Sequence, residues 1–178
     1  MLQRLFRPSP AKLAGEALYS AAAGQARQPD FYRIGGVADT REGRFELYTL
    51  HVILLVERLK RETGLAAEAR QNLFDRYVQG LDDAFRELGV GDLSVAKRVR
   101  KLGEAFYGRL KAIEEALAAL PAREALTATL IRTVLEGRDN QADEAQALTD
   151  YVLAARDVLA GQDVSALLAG DVNWEQAQ

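Results

Sequence analysis

Few side chains in this sequence have the chemistry that catalysis or metal binding requires. Its 178 residues include no cysteine and a single histidine, His51. The chain therefore has no disulfide, no thiolate nucleophile and no metal site built from cysteines or from several histidines. Because His51 stands within the apolar run 47–56, we expect a buried, hydrogen-bonded core residue rather than a ligand or a base.

The carboxylates and glycines offer no better case for a catalytic site. Asp82 and Asp83 are neighbours, but consecutive side chains on a helix diverge by about 100° and cannot face one substrate together. The glycines at 35–36 and at 89 and 91 lack the lysine, the serine and the strand context of phosphate-binding loops or nucleophile elbows. We therefore predict no catalytic residue, no cofactor and no metal, in a protein that binds another macromolecule and is not an enzyme.

The elements that would position these side chains are all helical. With 48% hydrophobic residues and no alternating strand pattern, the sequence predicts an all-α, single-domain helical bundle of about six helices over residues 1–178. A short stretch at 164–168 is compatible with one more helix, and residues 1–9 and 170–178 are expected to be flexible. The spacing of apolar residues, prolines and glycines places the six helices at about 11–27, 40–64, 66–88, 95–120, 122–136 and 141–160.

The second and fourth predicted helices carry the strongest expectations. Asp39 and Glu42 have the spacing of a capping box at the start of the second helix. Apolar side chains of that helix point in nearly every direction, so we expect it at the centre of the bundle. The fourth helix has apolar residues at spacings of three and four until Pro121 ends it.

The fourth helix also concentrates positive charge. One interpretation is a solvated helix face that neighbouring acids partly neutralise. The alternative is a contact surface for phosphate or an acidic partner, in which Arg98 and Arg109 share one flank of the apolar stripe. The bases of this helix are Lys97, Arg98, Arg100, Lys101, Arg109 and Lys111.

Two arginines at the start of the second helix need a separate explanation. Arg41 and Arg44 oppose the helix dipole, which favours acids in the first turn. They either pair with acids of the third helix, at positions 82, 83 and 87, or contact a partner. We hypothesise that the surface between the second and fourth helices binds the partner. The residues of this predicted partner-binding surface are Arg44, Arg98, Lys101, Tyr107 and Arg109.

Several segments together resemble one protein family. Each is a common helical fragment, but their order and spacing over about residues 28–160 resemble the ubiquinol-cytochrome c chaperone family. The segments are 31–32 (FY), 36–51 (GVADTREGRFELYTLH), 73–77 (LFDRY), 81–83 (LDD), 89–93 (GVGDL), 95–97 (VAK) and 104–109 (EAFYGR).

The resemblance implies a chaperone or assembly factor for the cytochrome bc1 complex. Such a protein binds nascent or newly inserted cytochrome b or an assembly partner protein, and the resemblance also allows a contact with the ribosome. The family has no catalytic residue or cofactor whose role would apply to this sequence. Residues 1–7 lack the apolar core of a secretory signal, and no apolar run approaches the roughly 20 residues that span a bilayer. We therefore expect a cytoplasmic protein, peripheral at most to the cytoplasmic face of the inner membrane.

The residues alone leave two other functional classes open. The bases of the fourth helix also suit an RNA- or ribosome-associated helical regulator, and steep loss of binding with rising salt would indicate it. A net charge of -3, from 23 bases and 26 acids, gives no overall attraction to nucleic acid, and we expect no DNA binding. Apolar and aromatic side chains between helices would suit a protein or enzyme that binds a lipid- or quinone-like molecule, which a deep pocket would indicate.

Overall fold

Eight α-helices make up the part of the chain that the structure, a computed structural model, describes: residues 8–137 and 142–174. Those two ranges contain no strand. The all-α, single-domain bundle predicted from the sequence is therefore confirmed, and six of the helices correspond to the six predicted ones. The helices are α1 (Pro10–Gln25), α2 (Asp30–Arg33), α3 (Arg41–Arg58), α4 (Leu65–Glu87), α5 (Asp92–Ala118), α6 (Glu124–Arg132), α7 (Ala142–Gly161) and α8 (Val164–Ala169).

Helix α3 lies at the centre of the bundle, as its apolar pattern predicts. It contacts α1, α4, α5 and α7. All six residues at 50–55 are at most 2% exposed to solvent. A buried run of that length needs neighbours on every side of the helix, which explains why no polar face interrupts it.

The start of α3 differs from the predicted capping box. The N-cap is Thr40, whose hydroxyl accepts a hydrogen bond from the Gly43 amide at 3.0 Å. Asp39 instead accepts a bond from the Arg44 Nε at 2.5 Å. Gly43 is required here because a Cβ atom at this position would lie 2.2 Å from the Ala38 carbonyl oxygen. The prediction of Asp39 as the cap was wrong because its carboxylate has a competing cationic partner one turn into the helix.

Helices α4 and α5 form an antiparallel hairpin. Their contacts run from Phe85 and Arg98 near the turn to Phe74 and Phe106 farther away, where the ring centroids are 5.0 Å apart. Gly89 has a φ of +74°, a backbone conformation that glycine adopts without strain. The hairpin turn therefore lies where the sequence predicts it.

Two short helices complete the fold around the core. The sequence predicts a loop at 28–39, but α2 forms within it and buries Phe31 to 1% exposure. After α8 the chain returns to the core, where the Trp174 ring lies 5.1 Å from the His51 ring, edge to face. Flexibility at 1–9 and 170–178 stays a prediction, and residues 1–7, 175–178 and the predicted start of the sixth helix at Gln141 lie outside the described residues.

Candidate functional site

A surface groove of about 750 Å³ opens between the body of the bundle and the turn end of the α4–α5 hairpin. We call it the arginine groove. Its charged residues are Arg27, Arg41, Glu42, Arg44 and Arg98. Its apolar and aromatic lining consists of Tyr19, Ala23, Ala26, Tyr32, Phe45, Tyr48, Leu81, Ala84, Phe85, Leu88 and Leu102.

The floor of the arginine groove is apolar and partly open to solvent. Leu88, at the end of α4, is 58% exposed, whereas Phe45 and Leu81 are half-buried and pack against the core. An exposed leucine that continues a half-buried apolar surface offers contact area to a partner. The groove is therefore chemically suited to an apolar segment of another molecule.

Tyr48 places a polar atom in this apolar floor. Its ring meets Tyr19 edge to face, with centroids 5.7 Å apart, and lies 5.6 Å from the Tyr77 ring. The Tyr48 hydroxyl is buried, and the Tyr19 side chain interacts with it, although the two make no hydrogen bond of normal geometry. Burial raises the pKa of Tyr48 above its ordinary value, so the phenol stays neutral and able to donate. The Tyr48 side chain therefore adds a neutral surface to the floor of the groove.

Two of the groove arginines are held against aromatic rings. The Arg44 guanidinium lies 4.9 Å from the centroid of the Tyr32 ring, while its Nε bonds Asp39. The Arg98 guanidinium lies 5.6 Å from the centroid of the Phe85 ring. Stacking of this kind orients a guanidinium and leaves its N–H edge available to a carboxylate or phosphate.

The predicted pairing of the α3 arginines with acids of the third predicted helix is wrong for Arg44. Its partner is Asp39, within the segment that leads into α3. The acids of α4 are used elsewhere, since Asp82 bonds Arg86 and Asp83 lies 4.0 Å from Arg76. The segment that leads into α3 therefore positions Arg44, and the Arg44 side chain forms part of the groove lining.

Arg27 and Arg41 complete the positive charge of the groove. Neither has a carboxylate partner in the part of the chain that the structure describes. Our predicted partner-binding surface did not include either residue. For Arg27 the sequence offers little signal, because its position beside the groove depends on how the end of α1 meets the start of α3.

Arg109 does not line the groove and has a structural partner instead. Its Nε donates to Glu46 Oε2 at 2.7 Å, and its Nη2 donates to the other oxygen of the same carboxylate. The side chains of Arg109 and Glu46 are 23% and 14% exposed. This pair joins α5 to α3, and sequence reasoning could not have found it because the two residues are 63 positions apart.

Lys101 and Tyr107 also lie outside the groove lining. Lys101 is exposed on α5. Tyr107 is 56% exposed, and its ring centroid lies 5.1 Å from that of Phe74. Of the five predicted partner-binding residues, the structure therefore brings Arg44 and Arg98 together in one groove and places the other three elsewhere.

The remaining bases of α5 lie on its exposed face. Arg100 pairs with Glu104 at 3.0 Å and Lys111 with Glu115 at 3.7 Å, both within the helix. Lys97 is exposed nearby. Exposed pairs of this spacing favour the interpretation of a solvated helix face for Arg100 and Lys111.

His51 is a core residue, as predicted. It is fully buried, its Nδ1 donates to the Leu47 carbonyl oxygen at 2.8 Å, and its Nε2 accepts from the Tyr151 hydroxyl at 2.7 Å. The Tyr151 oxygen in turn accepts from the Gln25 amide at 3.1 Å. Burial lowers the pKa of His51 to about 4, so the ring is neutral at physiological pH.

Neither a metal site nor a membrane span occurs in the described ranges. No group of three or more histidine, cysteine, aspartate or glutamate residues in those ranges could hold a metal ion. No helix of those ranges is long and apolar enough to cross a bilayer. Among the described residues, Glu42 is the only acid that lines the arginine groove, so that lining holds no pair of carboxylates for general acid–base catalysis.

Comparison with protein families gives one match to most of the chain. The family model described as ubiquinol-cytochrome C chaperone matches residues 33–174. This range contains three groove arginines, namely Arg41, Arg44 and Arg98.

Individual relatives agree with the family match. Ubiquinol-cytochrome-c reductase complex assembly factor 1 from Xenopus laevis is 22% identical over 166 residues, which are 92% of this chain and 81% of that protein. The crystal structure of the Cbp3 homolog from Brucella abortus has a TM-score of 0.83 to this structure at 35% identity. That similarity covers 99% of this chain and 98% of the other, so the two share one fold over their whole length.

Proposed function

Because this chain belongs to the ubiquinol-cytochrome C chaperone family, we propose that it assembles the ubiquinol–cytochrome c reductase (cytochrome bc1) complex and binds newly made cytochrome b. The relative from Xenopus laevis is named as an assembly factor of that complex. Similarity to it over 92% of this chain supports the same role here. The arginine groove is the observation that carries the proposal of client binding.

The chemistry of the groove suits such a client. A newly made membrane protein exposes apolar helices and charged connecting segments before its subunits and cofactors cover them. The groove offers an apolar floor beside positive charge, and we propose that Arg44 and Arg98 contact the client or an assembly partner directly. Arg109 acts indirectly in this proposal, by holding α5 against α3 through Glu46.

A position at the cytoplasmic face of the inner membrane follows from this client. The protein would bind cytochrome b there during or soon after its synthesis. Its association with the membrane would therefore depend on the client and not on a membrane-spanning helix of its own. We expect the protein to leave the membrane fraction in a strain that does not make cytochrome b. Unchanged membrane association in that strain would indicate direct lipid contact instead.

Deletion of the gene tests the role, and complementation tests the groove. We expect the deletion strain to lose cytochrome b, measured by haem difference spectra and immunoblot, together with ubiquinol–cytochrome c reductase activity. The wild-type gene should restore both, whereas Arg44→Glu with Arg98→Glu should not. The matched control is Lys97→Glu with Lys111→Glu, which makes the same change in net charge outside the groove and should restore both.

Two results would overturn these proposals separately. Normal cytochrome b in the deletion strain would remove the assembly role. Full restoration by a folded Arg44→Glu, Arg98→Glu protein would remove the groove as the client surface while leaving the role intact. Thermal unfolding of the purified variants establishes that each is folded.

A further inference from the structure

The charge of the arginine groove is opposite to that of the chain as a whole. Of the residues that the structure describes, four arginines and one acid line the groove, an excess of three positive charges, and Asp39 beside Arg44 reduces this excess to two. The whole chain carries a net charge of -3. A local positive field in an acidic protein selects for a partner with negative charge at this place.

The arginines occupy both sides of the groove. Arg41 and Arg44 belong to α3 in the body of the bundle, whereas Arg98 belongs to α5 in the hairpin. A partner lying on the apolar floor would meet positive charge along both of its edges. An α-helix that lies between the two sides can reach the arginines on both of them.

The arginines are also poised for carboxylates. The Arg98 guanidinium is stacked on Phe85 and has no ion pair in the described ranges. Arg41 likewise has none there. A stacked guanidinium with free N–H donors can bind a carboxylate through two parallel hydrogen bonds.

We propose that the arginine groove binds a short amphipathic α-helix of a partner protein. Its apolar face lies on Phe45, Leu81 and Leu88, and acidic side chains on its two edges pair with Arg41 and Arg98. This identification of the ligand class rests on the proposed function, which makes the helix a segment of the client or of an assembly partner. Helices bound in this way present anchors at positions i, i+3, i+4 and i+7, so about 11–14 residues suffice.

Two designed peptides test the proposal on the full-length protein. Both are fluorescently labelled 14-residue helices with the same leucine face, one with glutamates along both edges and the other with lysines at those positions. We expect the acidic peptide to bind with a dissociation constant in the micromolar range and the basic peptide at least about tenfold more weakly. Binding of the acidic peptide should weaken as salt rises from 50 to 500 mM, because exposed ion pairs are screened.

Charge reversal in the groove should invert this preference. In the Arg41→Glu, Arg98→Glu protein the basic peptide should bind more tightly than the acidic one. The matched control, Lys97→Glu with Arg100→Glu, makes the same change in net charge on the outer face of α5 and should keep the original preference. Leu88→Gln should weaken both peptides about threefold or more, and the exposure of Leu88 makes this change harmless to folding.

Equal affinity for the two peptides, or a preference that survives Arg41→Glu with Arg98→Glu, would overturn the proposal. Binding to phosphatidylglycerol vesicles without binding to either peptide would also overturn it, in favour of a lipid contact. These outcomes differ from a failure of the assembly role, which the deletion strain judges by cytochrome b alone. If the deletion strain has normal cytochrome b while peptide binding by the purified protein still depends on the groove arginines, this inference stands and the assembly role is removed.

Discussion

Arg109 of α5 and Glu46 of α3 form a two-bond ion pair in which both side chains are largely shielded from solvent. The pair connects the central helix to the helix that carries Arg98, one of the groove arginines. Arg109, which its position on the helical wheel predicts to bind a partner, is therefore used within the fold. Its substitution should affect stability before it affects binding.

We expect Arg109→Ala to lower the free energy of unfolding by about 2 kcal/mol, because it leaves the Glu46 carboxylate largely shielded without its partner. Lys111→Ala is the control, since its pair with Glu115 is exposed and should contribute less than about 0.5 kcal/mol. Urea unfolding of the two variants measures the difference. Equal stabilities would show that the Arg109 pair contributes no more than a surface pair.

The neutral state of His51 predicts a stability that depends on pH. Its pKa is about 4 in the folded chain against 6.5 in the unfolded chain, so between these values only the unfolded state binds the proton. Stability should therefore be complete above about pH 6.5 and fall as pH decreases toward 4, by about 3 kcal/mol in total from this group.

The His51→Gln variant isolates this contribution from that of the acids. Urea unfolding between pH 4 and 7.5 should show a smaller loss of stability for the variant than for the wild type, because glutamine does not titrate. Parallel curves for the two proteins over that range would contradict a neutral, buried His51.

The close approach of α1 and α4 predicts opposite effects for two glycines of α1. A Cβ atom at Gly15 would lie 2.5 Å from the Asn72 Cβ and 2.8 Å from its backbone carbonyl carbon, whereas nothing lies within 4 Å of one at Gly24. Gly15→Ala should destabilise the fold by about 2 kcal/mol, roughly 5 °C in melting temperature. Gly24→Ala should stabilise it by about 0.5 kcal/mol. If Gly15→Ala left the free energy of unfolding unchanged, α1 and α4 would be able to move apart without loss of stability.

Local patterns in the sequence predict most of the helices because amphipathic spacing and helix breakers act over a few residues. The limits of α4 and α5 agree with the predictions to within a few residues for this reason. The four-residue helix α2 escaped prediction because it is too short for a periodic pattern. Its place depends on the burial of Phe31, whose ring contacts Tyr151, 120 positions away, at 4.9 Å.

The candidate site depends even more on contacts between distant residues, which local sequence patterns do not reveal. The sequence predicts that Arg44 and Arg98 contact a partner, and a helical wheel gives the direction of each side chain around its own helix. It does not show which face of another helix lies opposite. The wheel therefore groups Arg109 with Arg98. In the structure Glu46 neutralises Arg109, whereas Arg98 lines the groove.

The sequence by itself determined the all-helical class, the central position of α3, the buried role of His51 and the resemblance to the chaperone family. These properties depend on residue type and on spacing along one helix. Only the tertiary structure decided that Arg27, Arg41, Arg44 and Arg98 meet around one apolar groove, and that Arg109 does not join them. The physical reason is that electrostatic and apolar contacts between helices depend on distances in space, which the packing of the whole bundle sets.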